Sequence, residues 1–421
     1  MRALFAFVAA LCACAPLTAD TPEELATKAE QLIRSGDKDG ALTMLSEAEH
    51  AAPPSAQSED RIGFLYAVLG HGPEAIQHFE KSLSLDSSYA AAHYHLGIAT
   101  WQAGDRDQAL PELQTAAKLA PNVFDYHYRL GTAYLQLNNF DAAATELKQA
   151  VTLDASKAAP WQDLARALQN KGDLPGAVDA DGHALAIDPS NDSLRDSYAY
   201  LLIEIRQPDR GIEESHKVLA HNPADLPAIM NIGYAHLKKG EFDSAEESYR
   251  QAVAADSNSA VAHYDLGIAL KMKDQLEAAQ NEFKEAIRLD PSLAEAHYSL
   301  GIADWQLGDF AGMSEQMRAA IAIRADYAEA HYMLGIALKE GGDLDSAIAE
   351  LKEAIRLDPG TPGPYNTLGQ ILRMKGDKTG SEEMFATGSR LKKEKDAELA
   401  NTLDQGMRGG TFMKPLAGGP R

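Results

Sequence analysis

The stretch "AHYHLGIATWQAGD" at residues 92–105 contains two histidines, a tyrosine and a tryptophan. Imidazole nitrogens bind metals, and tyrosine and tryptophan rings anchor ligands, so this composition is typical of a small metal or ligand site. Similar stretches begin at Ala262, Ala296 and Ala330. The copies therefore represent either a chemical site that recurs or a structural unit that recurs.

Geometry argues against a metal centre. His93 and His95 are two positions apart and point to opposite sides of a helix, and the sequence contains no His-x-x-x-His pair. Histidines of successive copies lie on neighbouring helices about 10 Å apart, whereas ligands converge to about 2 Å from one ion. We therefore predict no metal site and interpret these histidines as packing residues with a polar ring edge.

A small residue recurs every 34 residues along the chain, and we call it the anchor of its unit. The anchors are Ala29, Gly63, Gly97, Gly131, Ala165, Ala199, Gly233, Gly267, Gly301, Gly335 and Gly369. Glycine recurs seven positions after most anchors and Asp usually follows it, while proline closes many copies. Glycine ends a helix in the left-handed conformation and Asp caps the next helix, so each copy is predicted to be helix, turn, helix.

At these positions the chain resembles the tetratricopeptide repeat family, whose unit has 34 residues and a W-L-G-Y, A, F, A, P pattern. The resemblance implies an all-α fold, a right-handed superhelical α-solenoid of tandem helix-turn-helix units that bury their apolar faces by stacking. It also implies a scaffold on which peptides or proteins dock. The predicted units are 22–55, 56–89, 90–123, 124–157, 158–191, 192–225, 226–259, 260–293, 294–327, 328–361 and 362–395.

The pattern is weakest in the fifth and sixth units. Asp181 and Ser215 stand where other units carry a large apolar residue, and Arg206 replaces the usual glycine. This predicts a poorly packed joint between residues 175 and 220, which is either a bend or hinge or an imperfect repeat without a role. After Lys395 we predict a helical extension to about Leu403 and then a disordered Gly-rich tail within residues 396–421.

The N-terminal residues 1–19 have the features of an export signal. Arg2 precedes an apolar run at residues 3–15, and small residues follow. Cleavage after Ala19 gives a soluble periplasmic or secreted protein. Alternatively, "LCAC" resembles a bacterial lipobox in which Cys14 is lipidated, or the segment is retained. Both cysteines of the chain, Cys12 and Cys14, lie in this segment. We therefore expect an extracytoplasmic protein, with a membrane contact only through that lipid.

Composition and charge restrict the function further. The 421 residues are 45% hydrophobic and 24% charged, which is typical of a folded chain, and the net charge is −23. Such a surface repels nucleic acid and anionic membranes, and either favours cationic partners or simply maintains solubility. Phosphate-loop, nucleophile-elbow, zinc-protease and dinucleotide motifs are absent, and the repeats use residues 22–395. We predict no enzyme and no cofactor.

In this family one stripe of each first helix faces the concave groove, at three positions before the anchor and at one, four and five after it. Here the stripe carries aromatic and cationic residues that we predict bind a ligand: Tyr94, Trp101, Tyr128, Tyr264, Lys271, Tyr298, Trp305, Tyr332 and Lys339. Polar residues lie between the two aromatic groups, namely Gln162, Arg166, Gln169, Asn170 and Asp196. The rings either bind a partner or only pack across adjacent units.

Two functions fit these features. The first is a non-catalytic exported scaffold or adaptor that binds a peptide or protein segment in the groove, in cell-envelope complex assembly. The second is a carbohydrate or cell-wall binding accessory protein, because tyrosine and tryptophan rings also stack on sugars.

Overall fold

The computed structural model describes residues 20–408, with side chains described as far as residue 398. Within that range the chain forms 22 helices and no strand. The predicted signal segment, with Cys12 and Cys14, and the last residues of the predicted tail lie outside the described residues.

The chain divides between Leu201 and Leu202 into two compact parts, which we call the N-terminal part and the C-terminal part. The division falls inside residues 175–220, where the sequence predicts a poorly packed joint. In this segment the Ser215 hydroxyl is buried and has no hydrogen-bond partner among the described residues.

The N-terminal part is built from helix pairs. They are α1 (Pro22–Ser35) and α2 (Lys38–His50), α3 (Ala56–Val68) and α4 (Gly72–Leu85), α5 (Ala90–Gln102) and α6 (Arg106–Leu119), α7 (Phe124–Gln136) and α8 (Phe140–Leu153), and α9 (Ala158–Lys171) and α10 (Leu174–Ile187). The next helix, α11 (Asp192–Glu204), contains the division.

The C-terminal part continues the pattern. Its helices are α12 (Pro208–His221), α13 (Leu226–Lys239), α14 (Phe242–Ala255), α15 (Ala260–Met272), α16 (Leu276–Leu289), α17 (Ala294–Gln306), α18 (Phe310–Ile323), α19 (Ala328–Glu340), α20 (Leu344–Leu357), α21 (Pro362–Met374) and α22 (Lys378–Arg408). Helix α22 continues past the predicted end at Leu403. Consecutive helices pack against each other from α1 to α10 and from α12 to α22, so each part is an all-α stack of helix pairs.

The turn inside each pair follows from local sequence. Gly104 adopts φ +91°, which the left-handed C-terminus of α5 requires, and the Asp105 carboxylate then accepts a hydrogen bond from the Gln108 backbone at 3.0 Å. The equivalent positions in the fourth and sixth units hold Asn138 at φ +56° and Arg206 at φ +63°. The turn is therefore kept even where glycine is absent.

The anchors allow the paired helices to approach closely. A Cβ atom at Gly131 would lie 2.6 Å from Cγ of Leu147 on the second helix, so the large side chain occupies the space that glycine leaves. Equivalent side chains sixteen positions after their anchors are at most 1% exposed: Leu45, Phe79, Leu113, Leu147, Tyr249, Phe283, Met317 and Leu351. These contacts form the core inside each pair.

Candidate peptide-binding surface

The recurring histidines have structural partners in the described part of the chain. His127 Nδ1 lies 2.6 Å from Glu146 Oε2, and its Nε2 lies 3.0 Å from the Pro121 carbonyl oxygen. The same pair of contacts recurs at three other histidines, between His93 and Glu112, His263 and Glu282, and His331 and Glu350. Each ring therefore ties a first helix to its second helix and to the turn before it.

Other residue types at the same position make the same contact with the preceding turn. The Trp161 indole donates to the Ala155 carbonyl at 3.1 Å, and the Tyr365 hydroxyl donates to the Pro359 carbonyl at 3.2 Å. The position thus supplies a donor to a carbonyl six residues earlier. Among residues 20–408 no group of three or more His, Cys, Asp or Glu side chains is arranged to hold a metal ion.

Two predicted groove residues, Tyr94 and Tyr128, line one open cleft of about 500 Å³ that crosses α5, α7 and α9. The Tyr94 ring centroid lies 4.6 Å from that of Tyr126, and the Tyr128 ring lies 5.6 Å from Phe124. Burial raises the pKa of Tyr94, and burial together with a hydrogen bond to Asp163 raises that of Tyr128 to about 12. Both hydroxyls therefore stay protonated at neutral pH and can donate hydrogen bonds.

Trp101 lies beside this cleft. Its indole nitrogen donates to Gln136 Oε1 at 3.1 Å, and Gln136 itself lines the cleft. The Arg106 guanidinium lies 5.5 Å from the centre of the indole ring. The ring is thus held between a hydrogen bond and a cation–π contact, which fixes its orientation.

The polar wall of the cleft is an ion pair on α9. Arg166 Nη2 lies 2.8 Å from Asp163 Oδ1, and burial raises the Asp163 pKa while Arg166 opposes that rise. The sequence predicted that Arg166 faces the groove, and the structure adds Asp163 together with Asp125 and Arg129 from α7.

Asp163 and Arg166 also border a second cavity, of about 320 Å³, between α9, α10 and α11. Gln162 and Gln169, two members of the predicted polar stretch, line it, and so does Asp181. Asp181 was noticed in the sequence only as a departure from the apolar pattern. That departure was the available signal for this cavity.

The remaining predicted residues lie in the C-terminal part. The Tyr298 ring centroid lies 5.1 Å from that of Tyr327, and Ser299 forms a hydrogen bond with the Tyr264 hydroxyl. The Tyr332 hydroxyl packs against Gly363 at the start of α21, at 2.8 Å from where a Cβ atom would lie. Tyr264 and Tyr332 therefore pack across adjacent units, whereas Tyr298 packs against the last residue of its own unit. Trp305 is 43% exposed.

The two predicted lysines differ in their surroundings. Lys339 Nζ lies 3.3 Å from Gln370 Oε1 and 3.1 Å from Glu340 Oε1. Lys271 has no hydrogen-bond or ion-pair partner among the described residues, and burial lowers its pKa. A half-buried cation without a carboxylate is a group that an anionic ligand would stabilise.

The repeats can be compared with known families. A family model described as tetratricopeptide repeat matches residues 63–123, 96–160 and 128–192, and one described as TPR repeat matches residues 233–274, 272–308 and 337–376. Together these matches cover more than half of the chain. The protein belongs to the tetratricopeptide repeat family. Members of this family are suited to binding proteins and peptides, and are generally non-catalytic scaffolds.

Individual tetratricopeptide repeat proteins resemble the chain over part of its length. The repeat and J domain-containing co-chaperone DNJ1 of Fusarium oxysporum f. sp. lycopersici is 24% identical over 260 residues, or 61% of this chain and 45% of the relative. The chain thus spans less than half of that relative's length.

Two solved structures are also similar. A tetratricopeptide repeat protein from Parabacteroides merdae has 12% identity and a TM-score of 0.52, covering 60% of this chain and 99% of the other, and it shows the fold. YrrB, described as a TPR protein with an unusual peptide-binding site, has 21% identity and a TM-score of 0.39 and covers 45% and 97% of the two chains. No described helix has the length and apolar character needed to cross a membrane.

Proposed function

We propose that this tetratricopeptide repeat protein is an exported, non-catalytic adaptor that binds a polypeptide segment and takes part in assembling a cell-envelope complex. The observation that carries the binding role is the cleft of about 500 Å³ in which Tyr94 and Tyr128 lie together. Export is supported by the N-terminal sequence, with Arg2 ahead of the apolar run.

The cleft has the chemistry that an extended polypeptide requires. Its length across three first helices suits a chain segment, and its volume lies within the range of ligand sites, about 300–1,000 Å³. Tyr94 and Tyr128 offer rigid apolar surface, and the Tyr94 hydroxyl offers a donor, whereas Asp125, Asp163 and Gln102 offer acceptors for backbone N–H groups. Because the rings are already ordered by packing, binding loses little side-chain entropy.

A selection experiment tests the binding role. Phage-displayed random peptides are selected on the immobilised mature protein, and the affinity of an enriched peptide is measured by calorimetry. We expect Tyr94→Ala combined with Tyr128→Ala to weaken binding about ten-fold or more, because two packed aromatic contacts are lost. Met374→Ala is the matched control, since Met374 is 65% exposed and lies in the other part.

The same variants decide between ligand classes. Soluble peptidoglycan fragments are titrated in parallel with the selected peptide. Binding of the fragments alone, with loss in the double tyrosine variant, would replace the peptide role by the carbohydrate one. If no peptide is enriched on the wild-type protein, the adaptor role is wrong.

Export and anchoring have their own measurement. N-terminal sequencing of the protein from fractionated cells identifies the mature end, and a palmitate label reports lipidation. A start at Asp20 without label supports a soluble exported protein, and a labelled start at Cys14 supports a lipoprotein. An unprocessed cytoplasmic chain contradicts the export proposal.

A further inference from the structure

The cavity beside Asp181 lies at a position of the repeat where other units hold a large apolar residue. Asp181 lies sixteen residues after the anchor Ala165, where the preceding pairs place Leu113 and Leu147 with 0% exposure. A leucine there fills the space between the paired helices. Asp181 instead lines a cavity of about 320 Å³, and the hydroxyl residues Ser193 and Ser197 complete its wall.

The charge at the back of this cavity is poorly compensated. Asp181 is 3% exposed, and the Ser197 hydroxyl, at 3.2 Å, is its one hydrogen-bond donor among the described residues. A carboxylate accepts about four hydrogen bonds, and burial without partners is unfavourable by several kcal/mol. Consistent with this, burial raises the Asp181 pKa to about 7.

The other charged groups that line the cavity do not neutralise Asp181. Arg166 is paired with Asp163 at 2.8 Å, and its side chain is 59% exposed. Because those two charges cancel, the net negative charge of the cavity lining is that of Asp181 in its ionised form. Its remaining polar groups, the amides of Gln162 and Gln169 and the hydroxyl of Ser193, can all accept hydrogen bonds.

We infer that this cavity receives the ammonium group of a lysine side chain from the bound polypeptide, with Asp181 as its counter-ion. The inference rests on the proposed peptide-binding function. An ammonium is a compact point charge with three donors, so Asp181 and the two glutamine amides satisfy it.

The position of the cavity fits a side chain that enters from the groove. Asp163 and Arg166 border both the cavity and the cleft that contains Tyr94 and Tyr128. A segment that lies in the cleft can therefore direct one long side chain past this ion pair to Asp181.

The test compares two selections of phage-displayed random peptides, one on the wild-type protein and one on Asp181→Leu. The first unit combines an alanine anchor, Ala29, with a buried leucine sixteen positions later, Leu45, so we expect this variant to keep its fold, which circular dichroism checks. We expect peptides selected on the wild type to be enriched in lysine at one position, and peptides selected on Asp181→Leu to lack that enrichment. A peptide selected on the wild-type protein is then synthesised with lysine and with norleucine at that position. The norleucine form should bind the wild-type protein about ten-fold more weakly than the lysine form.

The outcomes separate the two proposals. Enriched peptides without a lysine preference, or a preference that persists on Asp181→Leu, overturn the role of the cavity and leave groove binding intact. Failure to enrich any peptide overturns both. If the lysine and norleucine peptides bind Asp181→Leu and Asp181→Asn equally well, the lysine ammonium binds the Asp181 carboxylate in the wild type.

Discussion

Glu59 and His78 form the interhelical pair that His93 and Glu112 form one unit later, but with the two residue types exchanged. Glu59 lies four positions before its anchor and His78 fifteen after it, and His78 Nδ1 lies 2.8 Å from Glu59 Oε2. Glu59 also binds Lys81 Nζ at 2.6 Å. What the repeat preserves at these two positions is therefore a hydrogen-bonded pair that joins the helices, and either order of residues provides it.

The residues at the His127 and Glu146 positions are tryptophan and alanine in the fifth unit, and the pair can be replaced by these residues. There Trp161 donates to the Ala155 carbonyl, and Ala180 stands nineteen positions after it. We predict that His127→Trp and Glu146→Ala each lower the free energy of unfolding by about 1–2 kcal/mol, because each leaves a partner unsatisfied or crowded. The double variant should lose less than the sum of the single variants. Urea unfolding followed by circular dichroism measures this coupling, and strictly additive losses would contradict it.

The fold could be predicted from the sequence because an anchor marks every unit and a turn glycine marks most of them. The close contact of Gly131 with Leu147 is local to a helix pair, so the repeat spacing is sufficient to predict it. The partner of His127 was missed, although a glutamate recurs nineteen positions after four of the histidines. That signal was present and would have shown that the ring nitrogens are occupied.

The candidate site was only partly predictable. The groove-facing stripe of the first helices predicted that Tyr94 and Tyr128 bind a ligand in the groove, and in the structure both residues line one cleft. The cavity at Asp181 could not be predicted, because its volume depends on the size of Ser193 and Ser197 on the next first helix. A sequence pattern shows that a large residue is missing, but not whether neighbouring side chains fill the space.

Asp181 should make stability depend on pH. Its pKa is about 7 in the folded state and near 3.8 when the chain is unfolded, so the folded state holds the proton more tightly. The free energy of unfolding therefore falls as pH rises from about 4 to about 7 and then levels. Asp163 and Arg166 are the other charged residues that face this cavity. A substitution of Asp181 alone leaves both of them in place.

We compare the free energy of unfolding of Asp181→Asn with that of the wild type at pH 5 and at pH 8. We predict that this difference shifts in favour of the variant by roughly 2 kcal/mol between the two pH values, since asparagine does not titrate. Urea unfolding at both pH values gives this difference. Other titrating groups, including Asp265, whose pKa burial also raises to about 7, contribute equally to both proteins and cancel. An equal difference at the two pH values would show that Asp181 is well compensated in the folded state.

Arg206 holds a backbone conformation that suits glycine. Its φ is +63°, whereas the equivalent Gly240 in the next unit adopts +74° without strain. We predict that Arg206→Gly raises the free energy of unfolding by about 0.5–1 kcal/mol. Asn138→Gly is the control, because asparagine tolerates the left-handed region and the gain should be smaller. Thermal unfolding measures the gain in stability of both variants. If Arg206→Gly gains no more than Asn138→Gly, the backbone at Arg206 is not strained.

Lys271 and Lys339 occupy the same stripe position in two units, but removal of their charge should raise the free energy of unfolding only at Lys271. Lys271 is half-buried and has no hydrogen-bond or ion-pair partner among the described residues, and burial lowers its pKa, so the folded state disfavours the charged form. Lys271→Met should therefore raise the free energy of unfolding by about 1 kcal/mol at neutral pH. Lys339→Met loses contacts with Gln370 and Glu340 and should leave stability unchanged or slightly lower it.

A residue that lowers stability on a predicted binding surface is typical of a functional position, because selection keeps it for another reason. A binding measurement tests this at Lys271 and Lys339. It compares the affinity of a selected peptide with a free C-terminal carboxylate with that of its amidated form. We predict that Lys271→Met removes any preference for the carboxylate, whereas Lys339→Met retains it, because only Lys271 has an uncompensated charge. Lower stability in Lys271→Met would show instead that the side chain contributes mainly by packing its aliphatic part, and would remove Lys271 from the candidate site.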